Sequence, residues 1–178
     1  MGLLLALVFP YLALATRMVP LAIEQLAGTS ELIVHGHVQS VGTRRDAEGR
    51  VFTRVELEGM NVWKGRLEGT SCVVVLGGGI LGDRQVAVTG QAEYAVGDEV
   101  VLFLVRNPRG EWVTVALEQG RFRVETDVDG QHKRASNLFW GVGPEKAPSG
   151  SGPRTPPGLR QGVLSLEELK RRVVEAVR

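Results

Sequence analysis

Two long segments near the start of the chain alternate apolar and polar residues, which is the pattern of half-buried β-strands. The first runs from about Glu31 to Val41, and the second begins near Val51 and stops at Trp63-Lys64-Gly65. A polar turn at Arg44–Arg50 separates them. The apolar positions of the second strand change face at Gly59, which indicates a β-bulge or sharp bend. In the first strand the apolar face comprises Leu32, Val34, Gly36 and Val38, and the other, more polar face comprises Ile33, His35, His37 and Gln39.

Shorter β-type segments, separated by glycine-rich turns, fill the rest of the chain up to about Asn137. Long first strands followed by short ones predict an all-β fold, a small, strongly bent antiparallel barrel of the OB-like type. The most apolar of the short segments is Val100–Val105. The others are Thr70–Leu76, Arg84–Thr89, Glu111–Leu117, Gly120–Glu125 and a weaker strand ending at Asn137.

The pattern predicts a helix on each side of the barrel. The first is short and covers Pro20–Ala27. The second is amphipathic, and Ser165 followed by Glu168 forms its capping box. About four turns of isolated helix are unstable in water, so this helix must dock either on its own barrel or on a partner protein. Its apolar face comprises Leu166, Leu169, Val173 and Val177.

The composition divides the chain into four parts. Residues 1–15 are predicted to be a signal peptide, and residues 16–140 the OB-like barrel domain. Five of the eight prolines lie within residues 141–162, among Gly and Ser, which is typical of a linker. Residues 163–178 contain the amphipathic helix.

The apolar run Gly2–Ala15 has the length of a signal-peptide core and is too short to span a bilayer. Ala13-Leu14-Ala15 is a cleavage signal that places the cut before Thr16. No Lys or Arg precedes the run, which is unusual for a signal peptide. The pattern predicts an exported protein, periplasmic or extracellular, with no membrane span after cleavage.

Charge and cysteine content narrow the classes of partner. The 178 residues carry a formal net charge of +1, which gives no overall field to attract nucleic acid. Phe122, between Arg121 and Arg123, is the one aromatic residue placed as nucleic-acid binding would need. Cys72 is the single cysteine and lies in an apolar run, so we expect it to be buried. We therefore expect no nucleic-acid partner and no internal disulfide.

A histidine pair is the strongest candidate for metal binding. His35 and His37 are two apart on a predicted strand, so both side chains project from the same face. Together they suit Zn²⁺ or Cu²⁺, with His132, Glu56 or Glu58 as a third ligand. Solvent-facing histidines without a metal are the alternative, since no second pair of ligands follows in the sequence.

Catalytic motifs are not found in the sequence, and we expect a non-enzymatic protein. The glycine-rich stretch Leu76–Asp83 lacks the Gly-Lys-Ser/Thr ending of a phosphate-binding loop. The serine-hydrolase elbow Gly-x-Ser-x-Gly and the zinc motif His-Glu-x-x-His are both missing. A flexible connection between strands accounts for the glycines.

The chain resembles netrin-like modules, the OB-type barrels that also occur in tissue inhibitors of metalloproteinases. The resemblance rests on Ser30–Val38, on the long second strand Val51–Met60 and on the stop Val62–Gly65. The segment Val96–Leu104 resembles the strand that enters the second half of such barrels. The resemblance covers roughly Ser30 to Val124. The layout of the whole chain is also similar to exported bacterial proteins of unknown role with a C-terminal Leu-x-x-Leu helix.

The resemblance implies a fold, and no functional residue transfers with it. The metalloproteinase inhibitors chelate zinc with a disulfide-held N-terminal cysteine, whereas here the mature chain would begin at Thr16 without any disulfide. The sequence thus favours an exported, non-enzymatic domain that recognises a protein or cell-envelope partner. The alternatives are metal binding through His35 and His37, and protease inhibition by resemblance alone.

Overall fold

The computed structural model describes residues 19–88, 90–140 and 163–178. The predicted signal peptide and linker therefore lie outside the described residues. The described chain is mostly β, with one short helix near its start and one C-terminal helix, and neither is long and apolar enough to cross a bilayer. The elements are α1 (Ile23–Thr29), β1 (Leu32–Arg45), β2 (Val51–Lys64), β3 (Cys72–Gly77), β4 (Gly79–Leu81), β5 (Arg84–Val86), β6 (Glu99–Arg106), β7 (Trp112–Thr114), β8 (Arg121–Thr126), β9 (Lys133–Ser136) and α2 (Leu166–Ala176).

Five strands close into a barrel in the order β1-β2-β3-β7-β6, with β6 pairing back to β1. All neighbours are antiparallel except β3 and β7, which are parallel and pair at Val74 and Trp112. Strands β8 and β9 extend the sheet outwards from β6. This architecture confirms the prediction of an all-β, OB-like barrel flanked by two helices.

The long first strands bend where the sequence changes phase. β1 and β2 each have 14 residues. His35 lies opposite Asn61, but His37 lies opposite Glu58, so β2 carries one extra residue between these pairs. Gly59 sits there with a φ of +61°, a conformation that favours glycine. The bulge predicted at Gly59 is therefore confirmed.

The interior of the barrel is a compact apolar cluster, the barrel core. It contains Leu32, Val34 and Val38 of the predicted inward face of β1 and the middle of β2, Val55 and Leu57, and Cys72 is buried within it as expected. Burial raises the pKa of the Cys72 thiol to about 11, so the thiol stays protonated at neutral pH. The members of the barrel core are Leu32, Val34, Val38, Val55, Leu57, Cys72, Val74, Leu76, Val100, Leu102 and Leu104.

A second apolar cluster, the outer core, covers the opposite face of β1 and β6. Ile33 is fully buried there, although the sequence pattern made its face the more polar one. Helices α1 and α2 and strands β8 and β9 supply the cover, which strand periodicity alone does not reveal. The outer core comprises Ile23, Leu26, Ala27, Ile33, Val101, Phe103, Val115, Phe122, Val124, Ala135, Phe139, Trp140, Leu164, Leu169 and Val173.

The Trp63-Lys64-Gly65 stop joins the barrel to α1. Trp63 packs against the outer core, and the Lys64 ammonium donates to the carbonyl oxygen of Ala27 at 2.7 Å, near the end of α1. Gly65 has a φ of +82°, and a Cβ there would lie 2.2 Å from the carbonyl oxygen of Glu31. The motif thus positions α1 by packing, by a cation at a helix C-terminus and by close backbone approach.

Helix α2 docks on its own barrel domain, which resolves the alternative left open by the sequence. Leu169 and Val173 are fully buried in the outer core. Arg172 pairs with Glu24 of α1 at 2.6 Å, and its guanidinium lies 5.0 Å from the ring centre of Trp140. Ser165 caps the helix by accepting from the Glu168 N–H, which is half of the predicted capping box, whereas the Glu168 carboxylate accepts from Arg171. Val177 at the C-terminal cap stays partly exposed.

Shortening Leu169 to Ala tests the docking of α2. The substitution leaves a cavity in the outer core, and we expect the free energy of unfolding to fall by about 2–5 kcal/mol. Val177→Ala, at the C-terminal cap of α2, is the control, with an expected change within about 0.5 kcal/mol. Urea denaturation measures both, and equal effects of the two substitutions would contradict a docked helix.

Candidate functional site

The histidine pair of β1 meets one carboxylate from β6. The Nε2 atom of His35 lies 2.7 Å from Glu99 Oε1, and the Nε2 atom of His37 lies 3.7 Å from Glu99 Oε2. His37 and Glu99 are direct partners in the β1–β6 register. Because His35 and His37 both reach Glu99, the two histidine side chains project from the same face, as their spacing predicts.

A lysine completes this group, which we name the Glu99 cluster: His35, His37, Glu99 and Lys133. The Lys133 ammonium, on β9, donates to both Glu99 oxygens at 2.7 and 2.9 Å. Burial alone would raise the pKa of Glu99, but the hydrogen bonds from Lys133 and His35 outweigh it and hold the pKa below its usual value. The cluster thus contains a firmly ionised carboxylate that links three strands.

The proposed third metal ligands do not join the pair. His132 binds Asp129 in the β8–β9 turn, and Glu56 binds Ser40 and Arg54. Within the described part of the chain, no three His, Cys, Asp or Glu side chains are arranged to hold a metal ion. Lys133 also neutralises Glu99, which disfavours a cation beside it. Metal binding by His35 and His37 stays a prediction, which titration with Zn²⁺ or Cu²⁺ tests.

Glu99→Gln tests the Glu99 cluster. At pH 7 we expect the free energy of unfolding to fall by about 1.5–3 kcal/mol, because charge-assisted hydrogen bonds are lost. Because the pKa of Glu99 is lowered by folding, its contribution is complete above the ordinary glutamate pKa of about 4.3 and is lost as the pH falls through the lowered value. The difference between the wild type and the variant should therefore shrink below about pH 4.

Chemical denaturation from pH 3 to 7 measures this difference. Glu58→Gln is the matched control, since Glu58 lies opposite His37 on β2 but is exposed. A Glu99→Gln effect that is no larger than the control, or that grows as the pH falls, would contradict the role given to Glu99.

A groove opens at the end of the barrel where β3 finishes, and we name it the mouth groove. Its volume is about 460 Å³, within the range of ligand-binding clefts. The β4–β5 hairpin forms one wall, and the segment that leads towards β6 forms another. The lining residues are Val41, Thr43, Thr53, Leu76, Gly77, Gly78, Gly79, Ile80, Gln85, Val86, Ala87, Val88, Gln91, Ala92, Glu93 and Tyr94.

Exposed aliphatic side chains surround the mouth groove. Ile80 is 65% exposed, and Val86, Val88 and Val41 are 44, 41 and 37% exposed. Isolated exposed aliphatic residues are common, but four of them around one concave surface form a patch that favours binding of an apolar partner. A larger groove of about 600 Å³ at Gly59–Thr70 shows one such residue, Val62.

Tyr94 connects the mouth groove to a buried cation. The guanidinium of Arg121 lies 5.4 Å from the Tyr94 ring centre, and its Nη2 donates to Glu118 at 2.6 Å. The Tyr94 hydroxyl and the Nε and Nη1 of Arg121 are buried without a hydrogen-bond partner among the described residues. Burial raises the pKa of Tyr94 well above its usual value, so the hydroxyl stays neutral.

The sequence contained one signal for the mouth groove, the run Gly77-Gly78-Gly79. Gly78 has a φ of +77°, and a Cβ there would lie 2.1 Å from the carbonyl oxygen of Val86. A Cβ on Gly79 would lie 2.5 Å from the hydroxyls of Thr43 and Thr53. The glycines therefore let the β4–β5 hairpin fold back across the ends of β1 and β2, a role that composition alone could not distinguish from flexibility.

Neither the models of known protein families nor the curated proteins give a match to this chain. The closed five-strand barrel is compatible with an OB-like fold, and that statement concerns the fold alone. Function is therefore inferred from the groove and the side chains around it.

Proposed function

We propose that the chain is an exported, non-enzymatic binding domain that recognises a protein partner through the mouth groove. The observation that carries the proposal is the ring of exposed aliphatic side chains, Val41, Ile80, Val86 and Val88, around a concave surface. Burying such a patch is favourable by about 25 cal/mol per Å² of apolar surface. The patch therefore favours binding of a partner that has apolar side chains of its own.

The form of the groove supports a polypeptide as this partner. Its walls combine aliphatic side chains with the backbone of Gly77–Gly79 and the amides of Gln85 and Gln91. Apart from Glu93, the lining residues offer apolar contact and uncharged hydrogen-bonding groups together, which is what a peptide segment presents in return. Export rests on the apolar run Gly2–Ala15 and its Ala-x-Ala ending, and it places the partner in the periplasm, in the envelope or outside the cell.

Site-specific photo-crosslinking in the native host tests the proposal. A benzoylphenylalanine at position 80 lies at the rim of the mouth groove, and we expect it to form a discrete adduct with an envelope protein. The same probe at position 128, a fully exposed valine in the β8–β9 turn, is the matched control. Val86→Asp, on the paired strand of the same hairpin, should reduce the adduct from position 80 at least about tenfold, because a carboxylate in the apolar contact loses its hydration.

Two outcomes would contradict this function. One is an adduct pattern that is the same at positions 80 and 128. The other is an adduct whose partner is cytoplasmic and attached to a chain that retains Met1, which mass spectrometry of the N-terminus would show.

Kinship with netrin-like modules is the second part of the proposal. The closed five-strand barrel supports it, as do the segments Ser30–Val38 and Val62–Gly65 that carry the resemblance. Protease inhibition is the function that this kinship would suggest. The mature chain would begin at Thr16, so it lacks the N-terminal cysteine with which the metalloproteinase inhibitors chelate zinc. A panel of metalloproteases and serine proteases that shows no inhibition would remove this alternative and leave the mouth groove proposal intact.

A further inference from the structure

One edge of β1 is unpaired along half of the strand. β1 pairs with β6 only from Leu32 to His37. At the next position, Val38 donates to Asp98 and accepts from Gly97, each at 2.8 Å. From Ser40 to Arg45 the strand pairs with β2 on one side, and no described residue pairs with its other side.

The backbone groups that face this free edge follow from the ladder. The Asp46 N–H donates to Arg50 and so points towards β2, while the Val51 carbonyl accepts from Gly78 and so points away from β1. The register of β1 against β2 shifts between Val38 and Ser40. Beyond this shift backbone direction alternates back from Asp46, so Val41, Thr43 and Arg45 turn their N–H and C=O groups away from β2. These groups form a row that can accept another strand.

The free edge runs beside the mouth groove. Val41 and Thr43 belong both to the free edge and to the mouth groove. They line the groove, and their backbone groups face outwards along the edge. A strand added to this edge would place alternate side chains towards the mouth groove, and the intervening ones towards solvent. Backbone pairing and apolar contact can therefore be satisfied by one extended segment.

Charge indicates the chemistry of that segment. Arg44 and Arg45 are exposed and form no ion pair with any residue in the described part of the chain. The nearby arginines differ, since Arg50 pairs with Asp46 and Glu111, and Arg54 pairs with Glu56. Two unpaired cations at the end of an open edge favour an acidic residue in the added strand.

We propose that the partner binds by β-strand addition to the free edge of β1, as an extended segment with apolar side chains in the mouth groove and an acidic residue beside Arg45. This inference rests on the proposed function and specifies how the partner is recognised. A second copy of the chain is a poorer occupant, because pairing two such edges would concentrate four arginines at one interface.

A phage-displayed library of random dodecapeptides, selected on the purified barrel with both helices, supplies the probe. We expect the selected peptides to alternate apolar residues and to carry Asp or Glu. Amide hydrogen exchange measured by NMR should then show at least tenfold slower exchange at Val41, Thr43 and Arg45 when a selected peptide is bound. Docking through side chains alone would leave these three amides unprotected.

Val41→Pro and Val41→Ala form the matched pair of variants. Both replace the valine side chain, but only proline removes the outward N–H, and it removes no bond to β2. We expect selected peptides to bind Val41→Pro at least about tenfold more weakly than Val41→Ala, equivalent to about 1.4 kcal/mol. Circular dichroism checks that both variants fold. If Val41→Pro does not fold, the amide exchange measured on the wild type tests strand addition by itself.

Several results would overturn strand addition. They are a library that yields no binder, equal binding by the two variants, unprotected amides at the edge, or a dimer in light scattering of the free protein that Val41→Pro abolishes. Crosslinks from position 80 that persist in Val41→Pro would overturn strand addition and leave the proposed function standing. Their absence in the wild type would instead remove the proposed function.

Discussion

Strand β6 (Glu99–Arg106) is the constraint on which the rest of the molecule depends, because it is buried on both faces. Its even-numbered side chains, Val100, Leu102 and Leu104, lie in the barrel core, while Val101 and Phe103 lie in the outer core. Its two edges pair with β1 and with β7 and β8. A barrel of this size can then bury a second apolar layer without a second sheet, since β6 and β1 serve as the wall between the two cores.

This shared wall explains why α1, α2 and the Glu99 cluster are structural parts of one unit. The outer face of β6 would be exposed without the helices, and a short isolated helix would not be stable without that face. Glu99 stands at the first position of β6, where the outer core ends and solvent begins. Its ion pair with Lys133 and its contact with His35 hold β9 and β1 against β6 at this boundary.

The sequence predicted those features that depend on local periodicity or on one special residue. Alternation identified the inward face of β1, and the phase change at Gly59 identified the bulge. The spacing of His35 and His37 correctly placed both on one face. Glu99 could not be assigned to them, because it lies more than 60 residues away and the pairing of β6 with β1 depends on barrel closure.

The structure differs from the sequence-based expectations where a helix covers a strand, where a helix ends, or where strands are very short. Ile33 lies on the face whose next positions are histidines, and only the helices explain its complete burial. Val177 shares the helical periodicity of Leu169, but the helix ends before it. Strands β4 and β5 have three residues each, too few for any period to be recognised.

The mouth groove and the free edge have a common physical origin in the unequal lengths of two paired strands. β1 has 14 residues, and β6 has 8, so β6 can match only the first part of β1. The rest of β1 extends beyond the barrel with β2, and the glycine run after β3 lets the β4–β5 hairpin turn back over it. Covering one face of this extension creates the groove, whereas the edge of β1 stays open, because the hairpin is hydrogen-bonded within itself and forms a separate sheet. The last residues of β1 pair with β2 on one side alone, and Arg44 and Arg45 form no ion pair with any described residue. The partner segment proposed above would supply the second neighbouring strand that barrel closure leaves out.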